Sequence, residues 1–246
     1  MKVLYQIGDY VYIIFQAFKR PDKGSVFRKQ LLLDFRRIGT DSLGIVVITS
    51  IFMGAIIAIQ MGYNTSSPFI SNTIIGFSTR QMLVLEISPT FISMVLAGKV
   101  GSRIASEIGT MRITEQIDAL RVMGVNPANY LILPKITAGM IYFPVLIIFS
   151  IFLGIVGGWI ASIVTGIVPS AAYINGVRSW YDPYTITYAM IKTVVFAFII
   201  TSVSAYKGYT VKGGSVEVGQ ASTDAVVHSS ILIIFFDLIL TQLLLT

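Results

Sequence analysis

Leu43-Gly-Ile-Val-Val-Ile-Thr-Ser-Ile-Phe-Met-Gly-Ala-Ile-Ile-Ala-Ile-Gln-Met-Gly-Tyr63 contains no charged side chain. Its length is close to the ~20 apolar residues that an α-helix needs to cross a bilayer. Four further windows of this kind follow, at about residues 81–100, 136–163, 186–206 and 225–245. Apolar residues make up 54% of the chain and charged residues only 12%, about half the share usual for a soluble domain. The expected fold is therefore all-α: a polytopic helical membrane protein with about five transmembrane helices, forming one membrane domain over residues 1–246. The third window contains Pro144, Gly154, Gly157 and Gly158, which leaves a tilted, kinked or re-entrant span open.

The first 37 residues lack the apolar core and small-residue cleavage site of a signal peptide. Val3, Leu4, Ile7, Val11, Ile14, Phe15 and Phe18 recur instead at helical spacing, with Tyr5 and Tyr12 nearby. That pattern suits a helix lying in the membrane interface, the alternative being an ordinary buried helix. Lys and Arg are distributed unevenly around the spans. Lys2, Lys19, Arg20, Lys23, Arg28, Lys29, Arg36 and Arg37 precede the first span. Lys99, Arg103, Arg112, Arg121 and Lys135 follow the second, and Lys207 and Lys212 follow the fourth, whereas the opposite side holds Arg80 and Arg178. The positive-inside rule then places the N-terminus and the segment between the second and third spans in the cytoplasm, and the C-terminus outside. The net charge of +6 needs no nucleic acid to explain it, and no basic–aromatic platform for one is visible.

Residues 98–127 form a polar insert between two apolar stretches. Ile104, Ile108 and Met111 fall at i, i+4 and i+7, as do Ile113, Ile117 and Leu120, each set giving one apolar helical face. Gly109-Thr110 is expected to divide the insert into two short helices, with Gly124 capping the second and Pro127 preventing its continuation. A membrane protein with such a charged helical hairpin on one side is expected to dock a partner there.

Several chemistries are excluded or left without support. There is no cysteine, hence no disulfide, thiolate metal site or catalytic thiol. The one histidine, His228, cannot make a His-based metal cluster; it reads as a helix-end packing group or a proton-linked switch. Gly98-Lys99-Val100 and Gly213-Gly214 do not complete a phosphate-binding loop. No nucleophile–base arrangement indicates an enzyme. Glu86, Lys192 and Asp237 lie inside apparent spans, where a charge costs ~2.5–3.5 kcal/mol on insertion scales. Such residues mark either a polar functional site or an ion pair that locks helices together. Gly54, Ala55 and Ala58, and likewise Gly154, Gly157, Gly158 and Ala161, make small-residue faces suited to close helix packing.

Glu107-Ile-Gly-Thr-Met-Arg-Ile-Thr-Glu-Gln-Ile-Asp-Ala-Leu-Arg-Val-Met-Gly-Val-Asn-Pro127 resembles the signature of MlaE-type permeases, the membrane subunits of ABC transporters that act on lipids together with MCE-domain proteins. Gly213-Gly-Ser-Val-Glu-Val-Gly-Gln-Ala-Ser-Thr-Asp-Ala-Val-Val-His-Ser-Ser230 resembles the C-terminal motif of that family, and the likeness extends over about residues 30–246. The resemblance implies a homodimeric permease of the bacterial inner membrane that moves lipid, most simply phospholipid. It implies no cofactor on this chain, since ATP would be used by a separate ATPase subunit. It also implies a periplasmic MCE-domain partner and no nucleic acid. Candidate lipid contacts are then Ile56, Ile59, Gln60 and Tyr63 at the end of the first span, with Glu86, Lys192 and Asp237. Candidate ATPase-coupling residues are Glu107, Thr110, Met111, Arg112, Glu115, Gln116 and Asp118. Leu85-Glu86 departs from the Arg-Glu common in the family, and Glu217 and Asp224 replace small or basic residues of the C-terminal motif. Two other classes stay open on the residues alone. One is an ion-gradient-driven transporter using Glu86, Lys192 and Asp237 as a proton relay, although the inverted repeats typical of that class are not evident. The other is a membrane scaffold without transport.

Overall fold

The computed structural model describes residues 2–19, 24–65 and 71–245. Arg20, Lys23, Thr246 and the side chains of Lys2 and Val3 lie outside the described residues. The helices in chain order are α1 (Lys2–Ala17), α2 (Gly24–Asp34), α3 (Asp41–Asn64), α4 (Thr73–Met82), α5 (Ile92–Leu96), α6 (Ser102–Ile113), α7 (Gln116–Val122), α8 (Pro127–Thr165), α9 (Ser170–Arg178), α10 (Tyr184–Tyr209) and α11 (Ser215–Leu245). Wider π-helical turns at Phe35–Thr40, Leu83–Phe91 and Ala97–Gly101 join α2 to α3, α4 to α5 and α5 to α6. No strand occurs among the described residues.

Among the described residues, five helical stretches are long and apolar enough to cross a membrane: Val26–Asn64, Thr73–Ile113, Pro127–Thr165, Tyr184–Tyr209 and Ser215–Leu245. Each contains one of the five windows read from the sequence, and most extend well past it. An apolar window stops at the first charge, but a helix does not, because each added residue adds a backbone hydrogen bond. Residues 26–37 are thus part of the first membrane-length helix, and the separate N-terminal helix is α1 alone. The third stretch is one uninterrupted helix through Pro144 and its glycines. In the second, Pro89 removes a backbone donor inside the Leu83–Phe91 turn, where the wider spacing takes up the lost bond. Gly109 does not break the polar insert. The break falls at Thr114–Glu115, where Glu115 adopts a left-handed φ of 60°. Gly124, at φ 76°, ends α7 as expected for a left-handed cap.

The chain divides into two compact units, one of Met1–Ser42, Met94–Phe143 and Val194–Thr246, the other of Leu43–Ser93 and Pro144–Thr193. In the first, polar contacts with long reach fix the elements. Tyr10 and Ser202 share a hydrogen bond of 2.8 Å, and the Tyr206 hydroxyl donates to the Gln6 carbonyl at 3.2 Å. Asn126 donates to the Gln16 carbonyl at 3.2 Å, and Asn129 to that of Ala17 at 2.7 Å. These contacts bury Ile13 and Ala17 of α1 and leave Leu4, Ile7, Val11, Phe15 and Phe18 exposed as an apolar stripe. A helix held on one side and apolar on another is the form an interfacial helix takes. α11 packs along α6, with Val218 against Gly109. Its first turn is capped by Glu217, whose carboxylate accepts the Gly214 N–H at 2.7 Å.

In the second unit the determining residues are small. A methyl group on Gly54 would overlap the Gly154 carbonyl oxygen, and one on Gly157 that of Ile51. α3 and α8 therefore meet backbone to backbone, the close approach that small residues permit in membrane helices. α4 and α9 interlock in the same way: Gly76 lies against the Tyr173 carbonyl and Gly176 against that of Thr73. Ala58, Ile75, Val168 and Tyr173 form the buried cluster beside them. Ser50, Ser150 and Ser88 make a hydroxyl chain at 2.9 and 3.1 Å, linking α3, α8 and the Leu83–Phe91 turn.

Candidate functional site

The polar insert folds as a helical hairpin, α6 and α7, within the first unit. Its apolar triplets point partly inward, with Ile104, Ile108 and Ile117 buried and Met111, Ile113 and Leu120 partly covered. Arg112 donates to Asp118 across the bend at 2.9 Å, and Arg121 approaches the same oxygen at 3.4 Å. The second amino group of Arg121 donates to the Tyr209 hydroxyl at 2.9 Å, tying α7 to the end of α10. Thr110, Glu115 and Gln116 are exposed along the hairpin. At the C-terminal end of α7 stand Val122 and Met123, 90% and 68% exposed. Two neighbouring apolar side chains on an otherwise charged hairpin are the residues with most to gain from a partner.

Glu107 faces the other way. It accepts from Arg37 at 2.7 Å and from Lys135 at 3.0 Å, and Lys135 also donates to Asp34 at 3.0 Å. Asp34 and Lys135 each keep only 6% of their side-chain surface exposed. Arg103 continues the network to Asp41 at 2.7 Å, and Lys99 donates to the Asp41 carbonyl. The base of the hairpin is thereby joined to α2 and α8. Losing one member of a buried pair leaves the other charge without compensation, which typically costs ~3–5 kcal/mol. Glu107 therefore faces α2 and α8 rather than the exposed side of the hairpin.

In the second unit Glu86 and Lys192 meet. Lys192 is fully buried and donates at 3.0 Å to both carboxylate oxygens of Glu86. The Tyr188 hydroxyl lies 2.8 Å from Lys192 and also donates to Glu86 at 3.3 Å, and Thr90 donates to Glu86 at 3.4 Å. The ammonium has three donors and these partners engage them. Glu86 keeps 42% of its side-chain surface open. The cluster therefore locks α10 to the Leu83–Phe91 turn. On α3, Ile56, Ile59, Gln60 and Tyr63 are all exposed, and Ile48 and Phe52 extend their stripe. Asp237 is partly buried in the last helix, within the first unit.

Comparison with known proteins decides the family. The family model for permease MlaE matches residues 31–243. The chain belongs to the MlaE permease family. A probable ABC transporter permease protein of Rickettsia prowazekii is 34% identical over 243 residues, spanning 99% of this chain and 93% of the relative. The intermembrane phospholipid transport system permease protein MlaE of Haemophilus influenzae is 33% identical over 210 residues, covering 84% of this chain and 79% of its own length. The chloroplastic protein trigalactosyldiacylglycerol 1 of Arabidopsis thaliana is 33% identical over 234 residues, covering 92% and 65%.

Within the MlaE family frame, the departures read from the sequence have structural roles here. Glu217 caps α11, and Asp224 lies 3.9 Å from Lys207. Glu86 takes Lys192 as its partner in a chain with Leu85 at the neighbouring position. His228 sits on the surface with Nδ1 2.7 Å from the Asp224 carbonyl oxygen, a helix-turn contact. Sequence reading passed over Asp34, Lys135, Tyr188, Val122 and Met123. Asp34 and Lys135 were legible only as charges flanking a span; their burial depends on helices extending beyond the apolar windows. Val122 and Met123 are ordinary apolar residues until the hairpin leaves them uncovered.

Proposed function

We propose that this chain is the permease subunit of an ATP-driven lipid transporter, working as a homodimer and drawing its energy from a separate ATPase. The observation that carries the reading is the α6–α7 hairpin, braced by the Glu107–Lys135–Asp34 network and exposing Val122 and Met123 at the end of α7. That end of α7 would enter a groove of the ATPase, with Thr110, Met111, Arg112, Glu115, Gln116 and Asp118 completing the docking surface. Movement of the hairpin would pass to α2 and α8 through Glu107. With the hairpin and the N-terminus on the cytoplasmic side of the inner membrane, as the Lys and Arg distribution favours, the C-terminus is periplasmic. The relatives' names support phospholipid as the substrate class. The exposed α3 stripe of Ile56, Ile59, Gln60 and Tyr63 would contact acyl chains, and the exposed part of Glu86, together with Asp237, would meet polar groups. A periplasmic MCE-domain protein would exchange lipid with the dimer. ATP is the only cofactor in this reading, and the partner uses it.

The test is association. Val122→Asp with Met123→Asp should abolish co-purification of the ATPase subunit and its stimulation, while the permease inserts and keeps its thermal midpoint. Unchanged ATPase capture by that double variant would overturn docking through the end of α7.

A further inference from the structure

A cavity of about 900 Å³ opens within the first unit, between α1, the hairpin and the end of α10. Arg112 and Arg121 of the hairpin and Lys212, just after α10, line it, with Asp9 as the one carboxylate in the wall. The two guanidinium groups share a single oxygen of Asp118, so positive charge is left over. Glu217, whose carboxylate accepts the Gly214 N–H, lines a neighbouring groove with Lys212 and makes no direct ion pair with it. Tyr209 holds Arg121 in place, and this hydrogen bond keeps the guanidinium still more firmly protonated than usual. A guanidinium carries five N–H donors, and these contacts leave several of them for a ligand.

The remaining wall is the polar side of α1. Tyr5, Asp9, Tyr12 and Gln16 recur at helical spacing and line the cavity, whereas Leu4, Val11 and Phe15 point away from it. With its apolar stripe sunk in a membrane interface, α1 holds its polar side near the level of lipid phosphates. The bonds from Tyr206 to Gln6 and from Asn126 to Gln16 fix that wall at both ends, so the cavity is preformed. Three cations from separate elements surround the space. A carboxylate presents two oxygens in one plane, but a tetrahedral phosphate directs oxygens toward several walls at once.

We propose that this cavity is a phosphate-binding site, taking the phosphoester of an anionic lipid head group or of a small phosphorylated solute. None of its lining residues belongs to the α3 stripe, Arg112 is shared with the proposed docking surface, and its occupancy does not depend on transport. The experiment uses the purified permease in nanodiscs, without any ATPase, and reads bound lipid by native mass spectrometry. Phosphatidylglycerol should be retained over phosphatidylcholine and over a carboxylate-headed lipid of equal charge. Lys212→Gln and Arg121→Gln should each reduce that retention about tenfold, the size of a lost charge-assisted hydrogen bond, with the thermal midpoint of Lys212→Gln unchanged. Displacement by millimolar glycerol 3-phosphate would identify a solute site, and its failure to displace would identify a head-group site. Equal retention of the carboxylate lipid, or retention by both variants at the wild-type level, would overturn the proposal.

Discussion

The two units of this permease use the same two means in different proportion: the first also sets Gly208 against the Ala105 carbonyl, and the second also pairs Lys192 with Glu86. The second depends mainly on side chains that are missing: Gly54, Gly154 and Gly157 bring two helices into backbone contact, and Gly76 and Gly176 do the same for another pair. The first depends mainly on side chains that reach: Lys135 spans from α8 to Asp34 and Glu107, Arg121 to Tyr209, Asn129 to Ala17. Backbone contact allows few alternative arrangements, because packed helices cannot slide without overlap. Charge pairs on long stems tolerate displacement and can re-form. A unit that must hold its shape and a unit that must receive a partner's motion would be expected to differ in this way.

The contrast breaks most sharply at Gly54. Gly54→Leu places a branched side chain where even a methyl group meets the Gly154 carbonyl. The loss should exceed the ~1–3 kcal/mol usual for overpacking, because backbone rather than a flexible side chain is in the way. Yield of monodisperse protein in detergent is the readout, and folded Gly54→Leu protein at the wild-type level would contradict the backbone contact. The buried lysines sharpen the comparison with a smaller effect. Lys135→Met leaves Asp34 buried and should cost ~3–5 kcal/mol, whereas Lys192→Met should cost less, because the Glu86 side chain is 42% exposed while that of Asp34 is 6% exposed. Thermal midpoints of the two variants, measured side by side, check the order. A larger loss for Lys192→Met would show that Glu86 is more enclosed than its geometry indicates.

Much of the fold was readable in advance, and the unit built on reach was read less well. Apolar window length located all five membrane-length helices, and Gly124 marked the end of α7. Gly109 misled because its role is contact with Val218, not a break: a glycine in a helix signals either, and the neighbour decides. α9 was missed because Ser170–Arg178 is short, and only its fit against α4 stabilises it. Of the candidate site, the charged hairpin and the pair Glu86 and Lys192 were visible as residues out of place in their surroundings. The Asp34–Lys135 pair was not, since a charge at the edge of an apolar window looks solvated until the helix is seen to continue.

ATP-dependent movement of phospholipid by the reconstituted permease–ATPase complex tests the central claim most directly. Proteoliposomes holding the complex and its MCE-domain partner are supplied with a labelled phospholipid, and transfer to or from an acceptor is followed with ATP, with a non-hydrolysable analogue, and with an imposed proton gradient alone. The account predicts transfer with ATP only. Transfer driven by the proton gradient without ATP hydrolysis would contradict it and favour a proton relay through the buried charges.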